Sequence, residues 1–159
     1  MAVMNEAVAK PAARELVITR VFAAPRELVW QAWTEREHMM RWCAPHDFVI
    51  THGEGAARVG DSWRSCMVSP AGEEHWVGGV YREVVENKKL VFTHAWDEAD
   101  QPRHETLVTV ILADDGAKTK MTFRQENFRS LASRDGHEGG WSESFERLDS
   151  YLQELSAGD

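Results

Sequence analysis

Trp141-Ser-Glu-Ser-Phe145-Glu-Arg-Leu148-Asp-Ser-Tyr-Leu152-Gln-Glu-Leu155 is the stretch that decides the fold. Its apolar residues recur at intervals of four, three, four and three, which traces one stripe of an amphipathic helix. Glu143, Glu146, Arg147, Asp149 and Glu154 fall between them on the face toward water, and Glu143 to Arg147 has the spacing of a helical ion pair. Gly139-Gly140 stand just ahead of the stripe. A mid-helix glycine costs about 1 kcal/mol against alanine. The pair therefore reads either as a close-contact point near the helix start or as a loop boundary. A single stripe needs a wider apolar surface to lie on, and the rest of the chain must supply it.

That surface is a sheet. From His46 to about Glu126 the helical spacing gives way to short alternating runs divided by turns. Phe48, Ile50 and His52 alternate with Val49 and Thr51, and glycines at 55 and 60 bracket a bend. Ser62 to Ser69 ends at the turn Pro70-Ala71-Gly72-Glu73. Glu74 to Glu86 holds Gly78-Gly79, which signals a bulge, a bend or the close approach of another backbone. Asn87-Lys88 turns into Lys89 to Trp96, and Asp97 to Arg103 forms a polar loop. His104 to Ala113 and Lys118 to Glu126 make the last hairpin. Six such strands form an antiparallel meander, which must twist and curl.

The chain ahead of the meander supplies one more strand and two helices. Glu15 to Phe22 is rich in β-branched residues and reads as a strand at the edge of the sheet. Pro25 then opens a short helix whose apolar face holds Leu28, Val29, Ala32 and Trp33. Thr34-Glu-Arg-Glu37 has the form of a capping box for a second short helix bearing Met39, Trp42 and Cys43, stopped at Ala44-Pro45. Met1 to Arg14 reads as a mobile tail, and residues 15–156 as a single α+β domain.

Composition narrows the function. A net charge of −8 with no basic run disfavours nucleic acid and anionic lipid surfaces. Cys43 and Cys66 fit no zinc spacing and read as free thiols of a cytoplasmic protein. No segment has the length and apolarity of a membrane span, so insertion is not expected. Seven tryptophans in 159 residues suggest a roomy core or a lined pocket.

The pocket follows from a mismatch of widths. A helix with one stripe cannot cover the concave face of six or seven strands, and space left over would be apolar and suited to a small hydrophobic or aromatic molecule. The opposing expectation is a fully packed core, since interiors leave few voids. Alternation assigns the faces: Leu90, Phe92, His94 and Trp96 share one, as do Thr106, Val108, Val110 and Leu112, and Met121, Phe123 and Gln125. The mixed ends, Trp63, Met67, Tyr81, His94, Trp96 and Gln125, are candidate ligand contacts, with Trp42, Trp141 and Phe145 from the helices.

The element order, together with particular residues, resembles a known superfamily. Arg20-Val-Phe-Ala-Ala-Pro-Arg-Glu-Leu-Val-Trp-Gln-Ala-Trp-Thr34, Met40-Arg-Trp-Cys-Ala-Pro45, Gly79-Val-Tyr-Arg-Glu-Val84, Leu90-Val-Phe-Thr93, Gly140-Trp141, Arg147-Leu148 and Tyr151-Leu152 are similar to the START-like superfamily, also called SRPBCC, Bet v 1-like or helix-grip. Within it they look like the family named for the activator of Hsp90 ATPase, over residues 15 to 155. The resemblance implies a curved antiparallel sheet around a long C-terminal helix, with a ligand cavity and no cofactor. It allows a homodimer. It also admits a cofactor-free enzyme resembling polyketide cyclases and aromatases. Hsp90 activation is disfavoured, because the eukaryotic co-chaperone has a further N-terminal domain for which this chain is too short. Two departures stand out: Gly60-Asp61 replaces a frequent Gly-Gly, and Cys43 replaces an aromatic, which would reshape the cavity mouth.

Chemistry is sparse in the sequence. The histidines form no helical metal-ligand pair, although His94 and His104 could meet across strands, and no metal is expected. No nucleophile elbow or phosphate loop is present. Cys66 reads as a small buried hydrophobe. His94, Glu83 and Asp97 are the only candidates for acid–base work, chosen by position.

Overall fold

A computed structural model describes residues 13–98 and 100–157. The tail expected over residues 1–14 lies, up to residue 12, outside the described residues. The elements run β1 (Glu15–Phe22), α1 (Arg26–Thr34), α2 (Arg36–Trp42), β2 (Val49–Glu54), β3 (Ser62–Val68), β4 (Glu74–Val85), β5 (Lys89–Trp96), β6 (Thr106–Asp115), β7 (Lys118–Glu126) and α3 (Leu131–Ala157). The seven strands make one antiparallel sheet in the order β1-β7-β6-β5-β4-β3-β2. The α+β helix-grip architecture is the one the sequence implies.

Alternation sets what each strand buries. Thr106, Val108, Val110 and Leu112 on β6, and Met121, Phe123 and Gln125 on β7, are all buried on the concave face. Leu16 and Phe22 of β1 extend that surface. Trp33 of α1 sits at its centre, with ring centroids 4.8 Å from Trp42, 6.1 Å from Trp141 and from Phe145, and 6.3 Å from Phe123. Indole and phenyl rings at these spacings interlock tightly. The β1-β7-β6 half of the sheet is thus solid.

Three local readings change. Thr34 does not cap α2: its hydroxyl donates back to Trp30 O at 2.8 Å, ending α1, and Glu35 stands at the cap without a side-chain bond. Helix α3 begins at Leu131, ten residues before Trp141. The Ser130 hydroxyl accepts from Ser133 N–H at 3.1 Å, which is the N-cap bond. Gly139-Gly140 are therefore helix interior, neither a loop boundary nor a tight contact: a Cβ on Gly140 would meet only Pro45 at 3.7 Å, and one on Gly139 nothing within 4 Å. The third concerns Arg147, which does not pair with Glu143. Its Nη1 donates to the carbonyls of Ala44, Pro45 and Phe48 at 3.0, 2.9 and 3.2 Å, and Glu143 instead accepts from His46 N–H. Arg147 thereby gathers three carbonyls of the loop after α2 and pins that loop to α3.

The Gly78-Gly79 pair does what close approach requires. Gly79 lies opposite Trp63 on β3, and a Cβ there would fall 1.9 Å from Thr93 O on β5. Without that atom, the Trp63 indole passes over β4 and donates to Thr93 O at 3.1 Å. The bulge in β4 comes later, where the register shifts between Tyr81 and Glu83.

Candidate functional site

The helices leave part of the sheet bare. Helix α3 comes closest to β1, α1 to β6 and β7, and α2 to β2. Among the described residues no helix packs closely on β3, β4 or β5, and between these strands and α3 the structure holds a cavity of about 460 Å³. That lies within the range of ~300–1,000 Å³ usual for small-molecule sites. Strand register builds its floor. Ser65 pairs with Val77, Met67 with His75, Val77 with Trp96, and Tyr81 with Phe92, and all of these line it. The roof is the first half of α3, where Gly136 and Gly140 at four-residue spacing leave the helix surface recessed. Pro45 and Phe48, on the loop that Arg147 holds, line the cavity with Met40 and Cys43.

Of the sequence candidates, Trp63, Met67, Tyr81, His94, Trp96 and Trp141 line the cavity. Trp42, Gln125 and Phe145 do not: they lie one layer behind, each 0% exposed. Trp42 donates its indole N–H to Ala32 O at 3.0 Å and packs on Trp33. Periodicity gives a residue's face but not its depth: Gln125 lies on the part of the sheet the helices cover, and Trp42 and Phe145 are packed between helix and sheet around Trp33. Glu83 is outside the wall as well, at the β4 bulge, with Lys89 Nζ 3.3 Å from its carboxylate. His104 does not meet His94. It precedes β6, and its Nε2 lies 2.7 Å from Asn127 O, while Thr106 takes the position opposite His94. Asp97 reaches the rim, bonded to Arg64 and Arg103. Cys66 is buried on the other face of β3, away from the cavity.

Gln125 matters from behind. Its Oε1 accepts from Trp141 Nε1–H at 2.8 Å, which turns its amide NH₂ toward Thr106 Oγ1 at 2.8 Å and His94 Nδ1 at 3.4 Å. The Thr106 hydroxyl donates onward to His94 O at 2.9 Å. His94 Nδ1 thus faces one donor, the Gln125 amide, and holds a lone pair toward it, so the ring hydrogen sits on Nε2, which has no partner among the described residues. Burial, with the charges of His137 and Arg103, pushes the His94 pKa down to about 3. It is a neutral N–H donor on the cavity wall.

Beside it, His137 donates Nδ1–H to Ser133 O at 2.7 Å and accepts from Trp96 Nε1–H at 2.9 Å. Burial lowers its pKa also. At the other end, Arg36 of α2 donates to Tyr81 Oη at 3.0 Å. Burial raises the Tyr81 pKa against the opposing charge of Arg36. Burial pushes the Cys43 thiol up to about 12, so it is protonated and unreactive at neutral pH. The wall offers aromatic and aliphatic surface with a few donors, from Arg36, Tyr81 and His94.

Sequence reading missed Arg36 and His137. Both had a signal. Arg36, Met40 and Cys43 repeat at intervals of four and three along α2, and His137 lies four residues before Trp141, on the same stripe. The expected start of the last helix at Trp141 hid the second.

Comparison with known proteins agrees with the architecture. The family described as "Activator of Hsp90 ATPase homolog 1-like protein" matches residues 23–153. A crystal structure from Chromobacterium violaceum is 25% identical, with a TM-score of 0.82, covering 89% of this chain and 98% of that one. One from Nitrosomonas europaea is 24% identical, with a TM-score of 0.78, over 93% and 99% of the two chains. A Silicibacter pomeroyi protein bearing the same family name is 23% identical, with a TM-score of 0.80, over 91% and 99%. No curated protein matches the sequence.

Proposed function

The chain belongs to the activator of Hsp90 ATPase homolog 1-like family, and from that premise we propose that it binds a small apolar or aromatic molecule in the cavity between the sheet and α3. The observation that carries the reading is the cavity of about 460 Å³, walled by Trp63, Phe92, Trp96 and Trp141. Interiors this well supplied with large side chains usually close on themselves. Here glycines at 136 and 140 and serines at 65 and 144 keep the space open.

Binding is favoured over turnover by the state of the acid–base candidates. Burial holds His94 neutral at physiological pH, Glu83 is off the wall, and Asp97 at the rim is tied up with Arg64 and Arg103. A cytoplasmic setting, with Cys43 and Cys66 both free, belongs to the same reading. No helix among the described residues is long and apolar enough to cross a membrane.

The test is a fluorescence titration with N-phenyl-1-naphthylamine, a neutral apolar dye that brightens away from water. Saturable brightening at micromolar protein, with quenching of tryptophan emission by the bound dye, supports the reading. Absence of saturable binding by this dye, and of any thermal shift across a panel of hydrophobic compounds, refutes it.

A further inference from the structure

One charge in the cavity is left unanswered by the protein. The Arg36 side chain is half-buried at the end formed by α2, β2 and β4. Its Nη2 donates to Tyr81 Oη at 3.0 Å, and its Nη1 faces only the Met39 sulfur, a weak acceptor, at 3.3 Å. Its Nε–H is buried and has no acceptor. Among the described residues no carboxylate forms an ion pair with it. The neighbouring Cys43 thiol and Tyr81 phenol are held in their neutral forms by burial, so neither serves as counter-ion. A guanidinium drawn partly out of water without a counter-charge is unfavourable unless something else completes it. Its planar fork of donors fits a carboxylate at two points. Tyr81 Oη accepts from Arg36, which frees its own hydrogen to donate to the same anion.

Carboxylates stand at the opposite end: Glu74 and Glu98 line the cavity there, beside Asp97, which is paired with Arg64 and Arg103. Glu74 and Tyr81 are seven residues apart on one extended strand, about 23 Å at ~3.3 Å per residue. Between the two ends the wall is aromatic and aliphatic. A ligand with one anionic group would be drawn to the Arg36 end and repelled from the other.

We propose that this cavity receives an amphipathic acid: an apolar or aromatic body bearing one carboxylate, with the carboxylate seated on Arg36 and the Tyr81 hydroxyl. This rests on the reading that the cavity binds an apolar molecule. A long-chain fatty acid and an aryl carboxylic acid share the chemistry, and paired probes separate them.

The experiment measures displacement of N-phenyl-1-naphthylamine by dodecanoate against 1-dodecanol, and by 2-naphthoate against 2-naphthamide. In at least one pair the acid should bind about tenfold or more tightly than its neutral partner, equivalent to ~1.4 kcal/mol. The pair that shows the gap names the body. Arg36→Gln should bring acid and neutral partner to within about twofold, and Arg36→Lys, which keeps charge but not the fork, should retain part of the gap. Neutral partners binding as tightly as the acids in the unaltered protein overturn the proposal while leaving the cavity reading intact, and need no variant to fold. A gap that survives Arg36→Gln overturns it too. If the dye fails to bind and no hydrophobic compound raises the melting temperature, both readings fall together.

Discussion

Lowering the pH from 7 to 5 should destabilise this protein through His94. In the fold the imidazole is neutral, with a pKa pushed from 6.5 down to about 3 by burial and by the nearby charges of His137 and Arg103. In the unfolded chain it takes up a proton below its ordinary pKa. Its contribution is therefore fully present above pH ~6.5 and is lost progressively as the pH falls toward ~3. Proton linkage with those two values gives a loss of about 2 kcal/mol between pH 7 and pH 5. His137 shifts in the same direction and steepens the fall. The assay is urea unfolding at pH 7, 6 and 5, on the natural protein and on His94→Gln. The variant cannot titrate, so its stability should fall by about 2 kcal/mol less over that interval, whatever its starting stability. Parallel pH profiles for the two proteins would refute the claim that His94 is a buried neutral donor.

Two further substitutions probe the scaffold. Gln125→Leu leaves the Trp141 indole N–H without its acceptor in a buried site; equilibrium unfolding should show a loss of about 2–3 kcal/mol, and a loss under 0.5 kcal/mol would mean the network is not as described. Gly79→Ala places a methyl 1.9 Å from Thr93 O; it should cost about 3 kcal/mol or more, and free Trp63 from its bond across β4, read as a shift in tryptophan emission. An alanine tolerated there without change would contradict the close packing of β3 over β4 and β5.

The sequence spoke clearly where one period dominated. The four-three spacing from Trp141 to Leu155 and the alternation on β6 and β7 led directly to a sheet gripping a helix, and the faces they assign are the faces buried, whereas β5 is buried on both faces. It spoke poorly where small residues or long cations broke the pattern. Gly136, Gly139 and Gly140 lower helical signal, so the Ser130-capped first half of α3, which roofs the cavity, was invisible. Arg147 read as a wet residue because its three carbonyl acceptors lie about 100 positions upstream. Depth was equally hidden. Gln125 shares a face with cavity residues, yet it lies behind Trp141 and His94, while Trp42 and Phe145 are packed against Trp33.

The sheet is wider than the surface its helices pack on, and the excess remains as space between β3, β4, β5 and α3. Ser65→Phe probes that space, because Ser65 lies on the cavity floor, on β3. In open space the phenyl ring should leave stability equal or higher, since it buries apolar area without displacing neighbours, and it should weaken dye binding about tenfold or more. Destabilisation by about 1–3 kcal/mol, the usual cost of overpacking, together with unchanged dye affinity, would show a solid interior and contradict the account.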